Sequence, residues 1–315
     1  MASSLNIVDF HCHHVPAAFE VTATSTAPPT QRLRWERTAK LISDETLLLA
    51  DIESGDISAR IVNAPAAQIA DASGQVAHET IMRVNDEMAA LASRHPGRIV
   101  CLATIDAYVG EQGACELERA VTTLGLRGAF VDCARADLLI DAPQARPVLA
   151  AAAQLGVPVF VHPVNPQPLT AQMEPYGRIG TLFARGTVNA AALIALIEGG
   201  VFAELPELKV VVTALAFGGL AMAGGFSHMS RLPEGTGDVL RRNVFVDTMG
   251  FHPALIRAAV DLVGASNVVA GSDWPIVNEG PIRSYLEQAL AAAGLDAGQQ
   301  AMIAAGNARR LVGLA

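Results

Sequence analysis

The sequence has few aromatic residues, no run of like charge and no cysteine pair of the C-x-x-C type. Aromatic side chains make up only 5% of the 315 residues, so a core has to be built from aliphatic side chains, as in helices layered around a buried sheet. Because Lys and Arg form no run and the formal net charge is −9, we expect no nucleic-acid-binding surface. An anionic substrate would need individual arginines rather than a general positive field.

The four cysteines and the amino terminus indicate a cytoplasmic protein. Unpaired cysteine spacing is typical of reduced thiols in the cytosol. The first ten residues lack the basic segment followed by an apolar run that marks a signal peptide. The alanine-rich stretches at 145–153 and 287–294 are too short to cross a bilayer. We therefore expect no membrane partner.

The hydrophobic residues, 51% of the chain, alternate between strand-like and helix-like segments. Eight apolar, β-branched runs predict strands at 5–10, 59–64, 98–105, 126–132, 157–162, 208–214, 243–248 and 267–272. Segments with helical periodicity separate most of them, for example 78–94, 114–124, 143–155, 189–203, 253–263 and 281–293. This alternation predicts a parallel sheet, and eight repeats predict a closed (β/α)8 TIM barrel. We expect an α/β protein with one barrel domain over residues 1–315.

The alternative with a similar composition is an open, doubly wound sheet. Such a sheet usually carries a glycine-rich phosphate turn after its first strand, whereas here the first strand ends in histidines. Two connections are long, 14–45 after the first strand and 163–188 after the fifth. Because barrel enzymes place their active sites at the carboxyl ends of the strands, we expect these two loops to form walls of the pocket.

Four residues at strand ends are candidate metal ligands. His11 and His13 lie two apart on the first strand and so share a face, with Cys12 on the opposite face. His162 ends the fifth run and Asp273 follows the eighth. Each alone could be an ordinary strand-end or turn residue, but together they reach the same barrel mouth. Nitrogen-rich ligation with one carboxylate favours one divalent metal, Zn²⁺ first, with Mn²⁺ or Fe²⁺ as alternatives.

Further motifs carry a resemblance to a known family. They are Asp9-x-His11-x-His13, Val84-Asn85-Asp86-Glu87, His95-Pro96-x-Arg98, Leu126-Arg127-Gly128, Phe160-Val161-His162-Pro163, Gly271-Ser272-Asp273-Trp274-Pro275 and Gly306-Asn307-Ala308-x-Arg310-Leu311. In this order the chain resembles the amidohydrolase superfamily, in particular the branch with aminocarboxymuconate semialdehyde decarboxylase and γ-resorcylate decarboxylase. The resemblance implies a TIM barrel, metal binding by His11, His13, His162 and Asp273, and a homodimer.

One departure from that family concerns proton transfer. The family usually has a histidine after the sixth strand, in a His-x-Gly-Gly context, and here Ala216 stands in that place. Alanine cannot move a proton, so Asp273, His228 or His252 are the candidates for that task. For His228 and His252, a surface position without a function is an equally open interpretation.

Three further residues are candidates for binding the substrate. Arg178 and Arg185 lie in the fifth connection, and an arginine is the natural partner for a substrate carboxylate. Trp274 follows the candidate ligand Asp273 and is predicted to wall the pocket. We therefore expect a small organic acid as the ligand of this site.

These features predict a metal-dependent lyase, a non-oxidative decarboxylase of a small aromatic or unsaturated carboxylic acid. The alternative within the superfamily is a hydrolase that opens a lactone or an amide, followed by a hydratase of a double bond. An alternative from a different class is a catalytically silent barrel that acts as a binding protein. Its support is the missing histidine.

Overall fold

The computed structural model describes residues 5–19, 29–71, 75–233, 235–277 and 281–314, with the backbone alone for 29–34. Eight parallel strands, which we number β1 to β8, form its sheet. They are Val8–His13, Ala59–Asn63, Ile99–Cys101 continued by Ala103–Thr104, Ala129–Asp132, Val159–His162, Val210–Val212, Val244–Asp247 and Val268–Val269. All eight predicted strands are present, most of them shorter than their apolar runs. A two-residue antiparallel hairpin, Ala134–Arg135 with Leu138–Leu139, follows β4.

The strands form a ring. Neighbouring strands pair in chain order, and the two halves of β3 pair with β2 on one side and with β4 on the other. The ring closes between β1 and the segment that continues β8, where Phe10 N donates to Ala270 O at 2.7 Å and Asp273 N to His11 O at 2.8 Å. The predicted closed barrel is therefore confirmed, and the open-sheet alternative is wrong.

Fifteen α-helices in the described chain connect and surround the strands. They are α1 to α15 in order: Pro29–Ser43, Glu45–Ser54, Ala66–Ile69, His78–Arg94, Glu111–Thr122, Arg146–Leu155, Leu169–Met173, Gly177–Glu198, Val201–Glu204, Phe217–Gly225, Thr236–Asn243, Pro253–Val263, Ile282–Ala292, Ala297–Ala301 and Asn307–Val312. The predicted helices 78–94 and 253–263 have the same bounds as α4 and α12.

The prediction of a long loop over 163–188 is wrong for most of its length. Helix α7 begins directly after Pro168, and α8 begins at Gly177, twelve residues before its predicted start at 189. Proline and glycine there mark the starts of helices rather than an irregular segment. The first connection, 14–45, likewise contains α1 and the start of α2, and its residues 20–28 lie outside the described part.

Two apolar layers follow from the alternation of side chains along the strands. Inward-facing residues such as Phe10, Phe130, Phe160 and Phe245 fill the barrel together with residues of α15. Outward-facing residues form the second and larger layer, between the strands and the helices. Because the amino end of the barrel is filled in this way, polar side chains that face inward can gather only at its carboxyl end.

One helical stretch of the described chain, Leu169–Glu198, is apolar and long enough to cross a membrane by length and composition, with a mean hydropathy of 1.5 in its most apolar window. Its position argues for a barrel helix instead. The window is 44% buried, and Asn189 Nδ2 donates to Val161 O of β5 at 3.0 Å. The stretch therefore packs on the sheet through one side and exposes apolar side chains on the other.

Candidate metal centre and active site

A bulge in β1 directs both of its histidines into the barrel mouth. The pairing with β2 shifts by one residue between Asp9 and Cys12, so the consecutive residues Phe10 and His11 both face inward. Cys12 faces the helices, and His13 faces inward again. His11 Nε2 and His13 Nε2 lie 3.2 Å apart, and each side chain is 1% exposed. The predicted shared face is confirmed, although the bulge was not foreseen.

The other two candidate ligands complete the cluster. One nitrogen of His162 lies within 4.8 Å of nitrogens of both His11 and His13. Asp273 Oδ1 lies 2.9 Å from His13 Nε2 and 3.4 Å from His11 Nε2. That oxygen is buried without a hydrogen bond from any described residue. The Asp273 backbone has a φ of 57°, a left-handed conformation that non-glycine residues rarely adopt outside functional or strained sites.

Two residues that sequence reasoning missed fix the orientation of the imidazoles. Asp247 Oδ2 lies 2.6 Å from His11 Nδ1, and Asn63 Oδ1 lies 2.5 Å from His13 Nδ1. Since both oxygens can only accept, each Nδ1 carries the proton and each Nε2 presents a lone pair. Two lone pairs that face each other across 3.2 Å fit a shared cation, as in carboxylate–histidine–metal triads. The available signal was their place at strand ends.

The charges of the site also fit a cation. Burial holds the pKa of His162 well below its usual value, with a further lowering by His13, so this imidazole is neutral and can bind a metal. Burial lowers the pKa of His13 as well. Burial opposes protonation of His11 too, but Asp273 and Asp247 outweigh it and raise that pKa. Three imidazoles and a carboxylate oxygen without a donor are the donor set of a site for one divalent ion.

Arg185 reaches the same mouth from α8. It is partly exposed at the surface and Nη1 donates to Asn165 Oδ1 at 3.2 Å. Burial lowers its pKa, while the charge of Asp273 favours its protonated form. Asp132, which the sequence did not single out, ends β4 directly beside His162 of β5. Burial raises the pKa of Asp132 to about 6, and Arg185 opposes that rise. A guanidinium and a carboxyl group therefore flank the candidate metal centre.

Two other predicted substrate contacts lie elsewhere. The Trp274 ring, 1% exposed, packs in the layer between strands and helices with the Arg60 guanidinium 4.7 Å from its centroid. It does not wall the pocket because its side chain leaves the strand on the face opposite to the ligands. Arg178 is exposed, and its Nη2 donates to Ile276 O at 2.7 Å. It braces the segment that follows Asp273.

The two histidines proposed for proton transfer are exposed. His228 lies in a short 3-10 turn after α10, with its ring beside Phe226. His252 immediately precedes α12. No described residue makes a hydrogen bond to either ring. The structure thus supports the surface interpretation for both, and of the three candidates it brings only Asp273 into the cluster.

The position of the missing histidine is filled by core packing. Ala216 is 0% exposed and belongs to the layer between strands and helices. Its neighbour Leu215 is partly exposed, and Leu215 Cβ lies 3.5 Å from where a Cβ on Gly186 would be. Neither alanine nor leucine can move a proton, so this segment offers no substitute for the histidine.

The chain is similar to known proteins over most of its length. A family profile described as amidohydrolase matches residues 8–314. The γ-resorcylate decarboxylase of Rhizobium sp. (strain MTP-10005) is 27% identical over 256 residues, which cover 75% of this chain and 78% of the relative.

Solved structures with the same fold include two decarboxylases. The 5-carboxyvanillate decarboxylase of Sphingomonas paucimobilis superposes with a TM-score of 0.84 at 21% identity, over 99% of this chain and 100% of the other. A dihydroxybenzoic acid decarboxylase of Polaromonas sp. JS666, solved with manganese and 2-nitroresorcinol, has a TM-score of 0.82 at 24% identity, over 98% and 97% of the two chains.

Proposed function

The chain belongs to the amidohydrolase family, and on that premise we propose that it is a metal-dependent non-oxidative decarboxylase of a small aromatic or unsaturated carboxylic acid. The observation that carries the proposal is the buried cluster of His11, His13, His162 and Asp273 with the cation Arg185 beside it. One curated relative is named a γ-resorcylate decarboxylase, and one solved structure of the same fold is a 5-carboxyvanillate decarboxylase. A metal and a guanidinium together suit a substrate that carries a carboxylate.

The residues divide the chemistry between them. His11, His13, His162 and Asp273 would hold the ion, and the ion when bound supplies Lewis-acid polarisation of the substrate oxygens. Arg185 pairs with the substrate carboxylate and orients it. The carbon that bears the carboxylate takes up one proton, the bond from this carbon to the carboxylate then breaks, its electron pair stays with the carbon skeleton, and CO₂ leaves. We assign Asp273 to relay this proton from water to the carbon, because it is the one of the proposed groups that lies in the cluster; its carboxylate takes the proton up from water and passes it on.

We propose one divalent ion per chain. Three imidazoles favour Zn²⁺ over harder ions, while the neighbouring Polaromonas structure holds manganese, so both metals belong in the reconstitution. Elemental analysis of the purified protein should find close to one equivalent, and His11→Ala and Asp273→Ala should lose most of it. Full retention of metal in both variants would contradict the assignment of the site.

We propose a homodimer in the cytoplasm. Tyr176, immediately before α8, and Ile179 and Phe183 in its first turns follow one another at helical spacing and are 67%, 75% and 59% exposed. An apolar stripe of this kind suits a second copy of the chain better than water. The free state of all four cysteines supports a reducing compartment. Light scattering of the parent and of Phe183→Asp tests the assembly, with a monomeric parent as the contrary result.

Turnover tests the reaction itself. The reconstituted enzyme should be incubated with a panel of hydroxybenzoic and muconate-like acids while CO₂ is followed, and separately with lactones and amides. We expect CO₂ release that disappears on chelation and in His162→Ala. Ring opening or amide cleavage without CO₂ would replace the decarboxylase by the hydrolase that the family name describes. A full metal site without turnover of any of these compounds would favour the alternative of a catalytically silent binding protein.

A further inference from the structure

Asp9, the first residue of the Asp-x-His-x-His motif, joins the two chain segments that carry most of the candidate ligands. Its Oδ1 accepts from His11 N at 3.2 Å and from Ser272 N at 3.0 Å. Its Oδ2 accepts from Ser272 Oγ at 2.6 Å. Ser272 immediately precedes Asp273, so a single carboxylate contacts the backbone of both β1 and the loop after β8.

Arg60 of β2 holds this carboxylate from behind. The side chain is 0% exposed, and its Nε lies 3.4 Å from Asp9 Oδ2. Nη2 donates to Asp51 Oδ2 of α2 at 2.5 Å, and the guanidinium lies over the Trp274 ring. Asp9 and Arg60 face the helices, on the opposite side of the sheet from the histidines. They cannot touch a substrate or a metal in the barrel mouth.

We infer that Asp9 and Arg60 form a positioning pair that sets the approach of His11 and His13 to Asp273. Three of the four candidate ligands lie on the two segments that Asp9 connects. The β1 bulge starts at Asp9, and the bond from His11 N to Asp9 spans the extra residue. The pair therefore fixes the strand at the point where its side chains turn towards the site.

The energetics favour a pair that acts as a unit. A buried carboxylate that loses its cation, or a buried guanidinium that loses its carboxylate, is an uncompensated charge that the surrounding structure must relax to hydrate. Relaxation at this place moves the backbone of His11 or of Ser272. Loss of groups that orient metal ligands typically lowers metal affinity by about 10- to 100-fold, and we expect that range here.

Metal affinity is the appropriate measurement, because it does not require the proposed reaction. Asp9→Ala, Asp9→Asn, Arg60→Met and Arg60→Lys are titrated with Zn²⁺ and Mn²⁺ against a chelator, and the absorption bands of the Co²⁺-loaded proteins report the ligand geometry. The matched control is Asn85→Ala. Asn85 is also 0% exposed, and it bonds Thr104 and Glu116 without contacting either ligand segment.

We expect Asp9→Ala and Arg60→Met to weaken metal binding by about 10- to 100-fold and to shift the Co²⁺ bands. Asp9→Asn should lose less, because its amide oxygen still accepts from the two backbone N–H groups. Asn85→Ala should lower the unfolding midpoint and leave metal affinity within about twofold of the parent.

Three results would overturn the inference. They are parental affinity and Co²⁺ bands in Asp9→Ala and Arg60→Met, an equal loss of affinity in Asn85→Ala, or a parent that binds no metal, which would also remove the proposed site. If Asp9→Ala and Arg60→Met do not fold, Asp9→Asn and Arg60→Lys are measured instead. Parental metal affinity and parental Co²⁺ bands in both of these variants would overturn the inference. A parent that binds metal but does not decarboxylate would refute the proposed reaction alone.

Discussion

Asp247 gives the sharpest test of the site, because Asp247→Asn changes one atom and one charge. Asp247 Oδ1 accepts from Ala214 N at 2.8 Å and Met249 N at 3.1 Å, and Oδ2 lies 2.6 Å from His11 Nδ1. In the variant the amide oxygen keeps the two backbone donors, so its NH₂ group faces His11. His11 must then accept at Nδ1 and carry its proton on Nε2, which removes the lone pair that faces the other ligands.

The expected loss is therefore that of an orienting partner, about 10- to 100-fold in metal affinity, or about 1.4–2.7 kcal/mol. Chelator competition with the purified, metal-free proteins measures it. The matched control is Asp261→Asn, which makes the same replacement in an exposed pair with Arg257. Equal affinity of Asp247→Asn and the parent would show that Asp247 does not set the His11 tautomer, and the geometric reasoning about this site would be wrong.

Three further predictions concern residues around the centre. Arg185→Gln should raise KM for the carboxylate substrate by about 10- to 100-fold, the value of a charged hydrogen bond, while metal content stays the same; an unchanged KM would contradict the pairing. The pKa of Asp132 is raised from 3.8 to about 6, so the folded state holds that proton more tightly than the unfolded state, and stability falls as pH rises through this interval. Unfolding midpoints measured between pH about 4 and about 7 should show this fall in the parent and not in Asp132→Asn. The same pH profile in both proteins would refute the prediction. Ala216→His should destabilise the fold by about 1–3 kcal/mol through overpacking, and Leu215→His by less, because Leu215 is partly exposed; denaturant midpoints in the reverse order would show that Leu215 is the packed position.

The barrel and the ligand set could be predicted because each depends on a local pattern. Eight apolar runs specify eight strands, and a residue that ends a strand of a parallel barrel must lie at its carboxyl mouth. His11, His13, His162 and Asp273 were accessible to this reasoning one by one. The outer partners Asp247 and Asn63 also lie at strand ends, but they are ordinary polar residues in sequence, and their role follows only from contacts with residues far away in the chain.

The errors have equally physical causes. Proline and glycine in 163–188 predict a loop, whereas in the structure they precede or begin helices α7 and α8. The position of Trp274 next to Asp273 predicts a place in the pocket, but the face on which a side chain leaves a strand depends on register, and its ring packs against Arg60. The bulge in β1 is invisible to a period-two pattern, since one extra residue reverses the alternation without changing the composition.

The site and the fold depend on each other, because candidate ligands lie on both sides of the seam where the ring of strands closes. His11 and His13 lie on β1, Asp273 lies after β8, and the hydrogen bonds between these two segments are the ones that close the barrel. An ion held by His11, His13 and Asp273 would therefore bridge the seam of the ring. A ligand that binds only the folded state stabilises it by about 2.7 kcal/mol at 100 times its Kd, and here that energy acts at the joint between the first strand and the last. Metal binding should consequently protect the amides of Phe10, His13 and Asp273 from hydrogen exchange more than those of β3 and β4, which carry none of the candidate ligands and pair away from the seam.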